Sequence, residues 1–152
     1  MVGIATDVGH ASSGVVKAFA GCQLLFFEFN HDADMLRIGP YPTYLKARVA
    51  GPGGHLSNDE AAEALPRLLA SETNRLVAVH LSRTNNRAEI VEESLAHEIG
   101  RLGATIEAAI SRHDRPTPLY FVHPGLAPRI PAEPAVPVRT RRKLEREGAV
   151  IE

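Results

Sequence analysis

Leu24-Leu25-Phe26-Phe27-Glu28-Phe29 is an apolar run broken only by Glu28. A run of that length suits a strand covered on both faces, as in a parallel sheet. Just upstream, Gly21 is a helix stop, and Ser12 or Ser13 supplies the cap of a helix reaching about Ala20. Residues 2–6 read as a short buried strand, with Asp7 to Gly9 as the turn that leaves it. These segments form a β-α-β unit, so the fold class is α/β.

Downstream the pattern continues. From His31 to Gly54 the chain is irregular, with a helical turn through Met35 and Leu36 and a loop at Gly39-Pro40-Tyr41-Pro42. Ser57 and Glu60 have the spacing of a capping box, opening a helix with Ala62, Leu65, Leu68 and Leu69 on one side. Pro66 within it predicts a kink or a shifted start. A strand over 75–80, a helix over 86–102 ended by Gly103, and strands near 105–110 and 118–122 complete the ordered part.

Five of the eleven prolines fall between Pro124 and Pro137, before the basic cluster Arg139 to Arg146. This divides the chain into a domain over 1–123 and a Pro-rich, basic, disordered tail over 124–152. A net charge of −1 gives no global argument for nucleic-acid or membrane binding. The single Cys22 excludes an intrachain disulfide and a multi-cysteine zinc site. With no apolar run near ~20 residues and no secretory leader, the expected compartment is the cytoplasm, without membrane contact.

Polar residues stand where the buried strands end: Asp7, then Glu28 to Asp32, then His80. Strand carboxyl ends form the rim of sites in α/β sheets. On spacing alone, Asp7 is also a plain turn residue and His80 a strand-end histidine bonded to backbone. His55 equally caps a glycine-rich turn. Gly51-Pro52-Gly53-Gly54 lacks the Lys-Ser/Thr of a phosphate-binding loop. Tyr41, Tyr44, Lys46 and Arg48 lie in a loop able to overhang a site and contact phosphates, or simply to carry solvated cations. His97 and His113 read as surface residues without partners.

The segments Thr6-Asp7-Val8-Gly9-His10, Glu28-Phe29-Asn30-His31-Asp32, Gly39-Pro40-Tyr41-Pro42 and Gly54-His55-Leu56-Ser57-Asn58 occur in order. His80-Leu81-Ser82 with Asn85-Asn86, and Asp114-Arg115-Pro116-Thr117-Pro118, follow them. This series resembles the metallo-β-lactamase-fold hydrolases, in particular a bacterial branch of DNA exonucleases, over about residues 2–122. The resemblance implies an αββα sandwich holding two divalent metal ions, zinc or manganese, in the complete enzyme. It implies that Asp7 bridges both ions and His80 is the last histidine ligand. By analogy with related tRNA-3′-processing enzymes, His55 is the candidate general acid, oriented by Glu28. Tyr41, Lys46 and Arg48 become candidate substrate contacts, while His10, Asn30, His31 and Asp32 support the ligands from behind.

The signature His-x-His-x-Asp-His of that family is absent: the histidines stand at 10, 31, 55, 80, 97, 113 and 123. The expectation is therefore the C-terminal half of the sandwich, a mixed sheet with flanking helices. Such a chain is expected to hold no metal stably by itself and to be inactive as a hydrolase alone. It would need the missing N-terminal half or a second copy, with nucleic acid as substrate. The alternative is a non-catalytic remnant acting as a binding or assembly module.

Overall fold

The computed structural model describes residues 1–19, 21–69, 73–120 and 122. The elements are β1 (Val2–Ala5), α1 (Ser13–Phe19), β2 (Leu24–Glu28), α2 (Ala33–Ile38), α3 (Thr43–Val49), α4 (Asn58–Leu68), β3 (Arg75–Val79), α5 (Ala88–Leu102) and β4 (Glu107–Ile110). The tail over 124–152 lies outside the described residues.

The sheet has the order β1-β2-β3-β4, and every pair is parallel. The expected mixed sheet is thus corrected among the described residues. The reason is local: at least one helix separates each strand from the next, returning the chain to the same end of the sheet. The apolar run at 24–29 becomes an inner strand, with Leu25 and Phe27 fully buried.

Register assigns the two faces. Leu25, Leu76 and Ala108 lie side by side, as do Ala5, Phe27, Ala78 and Ile110. Except at the exposed Ala108, this face packs with Leu65 and Leu68 of α4 and Val91 and Leu95 of α5 in one hydrophobic core. The opposite face carries Ile4, Phe26 and Val77 in one row and Val2, Leu24, Arg75 and Glu107 in the next. It is only partly covered: Val2 and Ile4 are exposed, while the Tyr120 ring meets Phe26 edge-on at 6.1 Å. Residues 118–120, expected to be a strand, form an irregular strip whose aromatic ring packs on this face.

Ser57 caps α4 through a complete capping box with Glu60, so the helix start is where the sequence places it. Pro66 is accommodated in the last turn, where its missing N–H costs one intrahelical bond near an end. Gly103 closes α5 in the left-handed conformation, φ 61°. Between His31 and Gly54 the helical turn expected through Met35 and Leu36 is the helix α2, and a second short helix, α3, was not expected. Asp32 caps α2 by accepting from the Met35 N–H, and Pro42, its φ preset, leads into α3. Tyr44, Lys46 and Arg48 therefore lie on a helix rather than in a loop; Tyr41 alone of that group remains in the loop.

Candidate metal centre

The site forms at the carboxyl ends of β1, β2 and β3, with the segment before α4 as a fourth wall. Glu28, the last residue of β2, is its anchor. Its side chain is fully buried, yet both oxygens are satisfied. Oε1 accepts from Nδ1 of His80 (2.7 Å), Nδ1 of His55 (2.9 Å) and the Asp7 N–H (3.2 Å). Oε2 accepts from the N–H groups of Val8 (2.9 Å) and Leu56 (3.2 Å). Burial by itself pushes this carboxyl up, but bonds from His80, Val8, Leu56 and His55 outweigh it and hold Glu28 below the usual glutamate range.

An ionised carboxylate only accepts, so both imidazoles must donate through Nδ1, leaving Nε2 of each with a free lone pair. The two rings meet edge-on, centroids 5.1 Å apart. Asp7 approaches from the end of β1, its Oδ1 3.6 Å from His55 Nδ1. One donor atom each from Asp7, His55 and His80 lie within 4.8 Å of one another. Two imidazoles and a carboxylate, backed by a carboxylate that fixes the ring tautomers, suit a divalent cation of the zinc class.

The backbone bends to achieve this. Among the described residues, the non-glycine positions with positive φ are Asp7 (58°) and His80 (63°). Such conformations are costly for side-chain-bearing residues and concentrate at functional sites. The His55 loop is pressed into place from two sides. A Cβ on Gly54 would stand 2.1 Å from the Val49 carbonyl, and one on Gly9 2.5 Å from that of Pro52. The His55 N–H donates to Val49, which ties the end of α3 directly to the site.

The supporting residues divide by position. Asn30 donates its amide to the His80 carbonyl (2.9 Å) and so holds the left-handed turn from behind. His31 is buried and bridges to Ser57; burial lowers its pKa, opposed by the Glu60 carboxylate. Asp32 caps α2. His10 is exposed beside the Asp7 turn. On α3, Arg48 is exposed, whereas Lys46 donates its ammonium to the Arg37 carbonyl of α2 (2.7 Å). Tyr41 is half-buried in the preceding loop. His113, expected to lack a partner, donates from Nε2 to the Leu81 carbonyl (2.8 Å), bracing the segment after His80. His97 is exposed on α5.

Two features had no sequence signal of their own. The grip of Glu28 on His80 as well as His55 is one. The other is a reciprocal amide pair between buried Asn58 and Asn86, whose Asn86 amide also donates to the Phe29 and Asn30 carbonyls. It joins the start of α4 to the segment after β3.

Among the described residues no helix is long and apolar enough to cross a membrane. No family model matches the chain. It is 33% identical over 121 residues, 77% of its length, to the exodeoxyribonuclease YycJ of Bacillus anthracis. It is 32% identical over 118 residues, 75% of its length, to the exodeoxyribonuclease WalJ of two Streptococcus pneumoniae strains. The chain spans 46% and 44%, respectively, of the length of these relatives.

Proposed function

Proceeding from the chain's homology to the exodeoxyribonucleases YycJ and WalJ, a metallo-β-lactamase-fold family, we propose that it is one wall of a divalent-metal site in a phosphodiesterase acting on DNA. The observation that carries this reading is the buried Glu28 carboxylate gripping His55 and His80 beside Asp7. Asp7 and His80 are the metal ligands. Divalent ions held there would act as Lewis acids on the phosphodiester and activate the attacking water.

The chain's own residues account for the rest. Glu28 touches no substrate; it positions both rings and offsets the charge on His55 when that ring carries a second proton. His55 in that form delivers the proton from Nε2 to the leaving oxygen. Arg48 and Tyr41, on and before the helix tied to the His55 loop, contact backbone phosphates. Lys46 serves this helix by fixing it to α2. Asn30, His31, Asp32 and His10 support the loops. Two ions require more donors than Asp7 and His80, so the remaining ligands come from a segment outside this chain, and the chain alone is expected to be inactive. With DNA as substrate, the expected compartment is the cytoplasm.

The test is a chimera in which this chain replaces the matching part of Bacillus anthracis YycJ. The folded, metal-loaded chimera is expected to degrade linear DNA, and Asp7→Ala or His80→Ala to abolish this. A folded, metal-loaded chimera without nuclease activity, or one indifferent to both substitutions, refutes the reading. Inactivity despite correct folding would favour the non-catalytic alternative.

A further inference from the structure

Between Asp34 and Asp59 the chain has no carboxylate, although in all it carries 18 Asp and Glu against 17 Lys and Arg. That stretch holds Arg37, Lys46 and Arg48, and two of the three tyrosines, Tyr41 and Tyr44. Its second helix, α3, buries none of its residues, so core packing does not account for where it stands. Polar ties and close contacts do. The Lys46 ammonium donates to the Arg37 carbonyl, and the Val49 carbonyl accepts the His55 N–H at 2.8 Å. A Cβ on Gly54 would meet the Arg48 and Val49 carbonyls at 2.3 and 2.1 Å. The helix is thus fixed against the loop that carries His55, and it turns one face to solvent. Tyr44 and Arg48 share that exposed face, because residues four apart are neighbours on a helix, about 6 Å apart along its axis. Tyr44 is 76% exposed. Arg37 is engaged by Asp34 at 2.9 Å, which leaves Arg48 as the exposed cation of this face.

We propose that Tyr44 and Arg48 form a platform for one nucleotide of a single DNA strand, the phenol ring stacking on an unpaired base and the guanidinium holding a backbone phosphate. This rests on the nuclease reading above and deepens it, by naming the side chains that seat the strand. A base inside a duplex keeps both faces against its neighbours, so an exposed ring selects a strand whose base is free. The contact tolerates any sequence, because every base has a π-face. The acid-free stretch around the ring spares a bound phosphate the repulsion that carboxylates impose elsewhere on this chain. The platform adjoins the site, since α3 and the His55 loop are joined through backbone.

The test follows fluorescence anisotropy of a labelled thymidine oligonucleotide, its duplex, and an abasic strand of the same length, each titrated with the full chain in chelator at low salt. The thymidine strand is expected to bind more tightly than either of the others. Tyr44→Ala should weaken it roughly 5- to 150-fold while leaving the abasic strand unchanged, and Tyr44→Phe should keep the parent affinity. Arg48→Ala should weaken both single strands alike and lower the salt slope by about 0.7. Leu119→Ala, at a position 82% exposed outside the stretch, should alter nothing. The inference falls if Tyr44→Ala has no effect or acts equally on the abasic strand, if Phe does not substitute for Tyr, or if duplex binds as tightly as single strand. It falls equally if the chain binds none of the three. The chimera is read separately. An active chimera with an indifferent Tyr44→Ala removes the platform and keeps the nuclease reading. A folded, inactive chimera with the Tyr44 effect intact removes the nuclease reading and leaves a strand-binding module.

Discussion

Glu28→Gln separates what holds the fold from what prepares the site. The amide is nearly isosteric, and the bonding pattern selects its orientation. With nitrogen at the Oε1 position, the remaining oxygen keeps the Val8 and Leu56 N–H groups. The two amide hydrogens then point at His55 Nδ1 and His80 Nδ1, each of which can accept by moving its own proton to Nε2. Only the Asp7 N–H is stranded. The opposite orientation would strand two backbone donors and is disfavoured. One unpaired buried donor costs about 1–3 kcal/mol, or roughly 2–4 °C of Tm per kcal/mol in a chain of this size. The variant should therefore fold, with a modestly lower Tm. Its imidazoles, however, now carry protons on Nε2 and cannot ligate there. Thermal unfolding measures the first effect, and 15N-detected histidine NMR the second. Unchanged Nδ1–H tautomers in a folded Glu28→Gln chain would refute the reasoning.

His31 should make the fold sensitive to mild acid. Burial depresses its folded pKa below the unfolded value of about 6.5, so the neutral ring's contribution is present above that value and is lost as pH falls through the folded pKa. Denaturant unfolding against pH should fall more steeply than in His31→Gln, by up to about 1.4 kcal/mol per pH unit; parallel curves would contradict it. Gly54→Ala places a Cβ against two backbone carbonyls, 2.1 Å from Val49 and 2.3 Å from Arg48. Neither can yield like a side chain, so a loss of about 1–3 kcal/mol and displacement of His55 are expected. Urea unfolding within a few tenths of the unsubstituted chain would show that the loop relaxes freely.

Much of the fold was legible because apolar runs and caps obey local rules. The 24–29 run, the Ser57/Glu60 box and Gly103 each found its expected role. Parallel pairing was also legible in principle, since a helix lies between every pair of successive strands. The helix α3 was not: none of its residues is buried, so it presents no apolar stripe to read. Residues 118–120 mislead in the opposite way, because apolar content there serves packing of Tyr120 on Phe26 rather than a ladder. At the site, strand ends point to Asp7, Glu28 and His80, but the number of partners Glu28 serves depends on loops that meet only in three dimensions.

The bonds of Glu28 reach far along the chain: 21 residues back to Asp7, 27 forward to His55 and 52 forward to His80. A pocket whose corners are so distant in sequence cannot survive in a partly opened molecule. An ion that binds it selects the closed chain over every unfolded one and raises apparent stability by mass action, about 2.7 kcal/mol at a hundredfold excess over Kd. Starving such a chain of its ion would then shorten its lifetime against proteases.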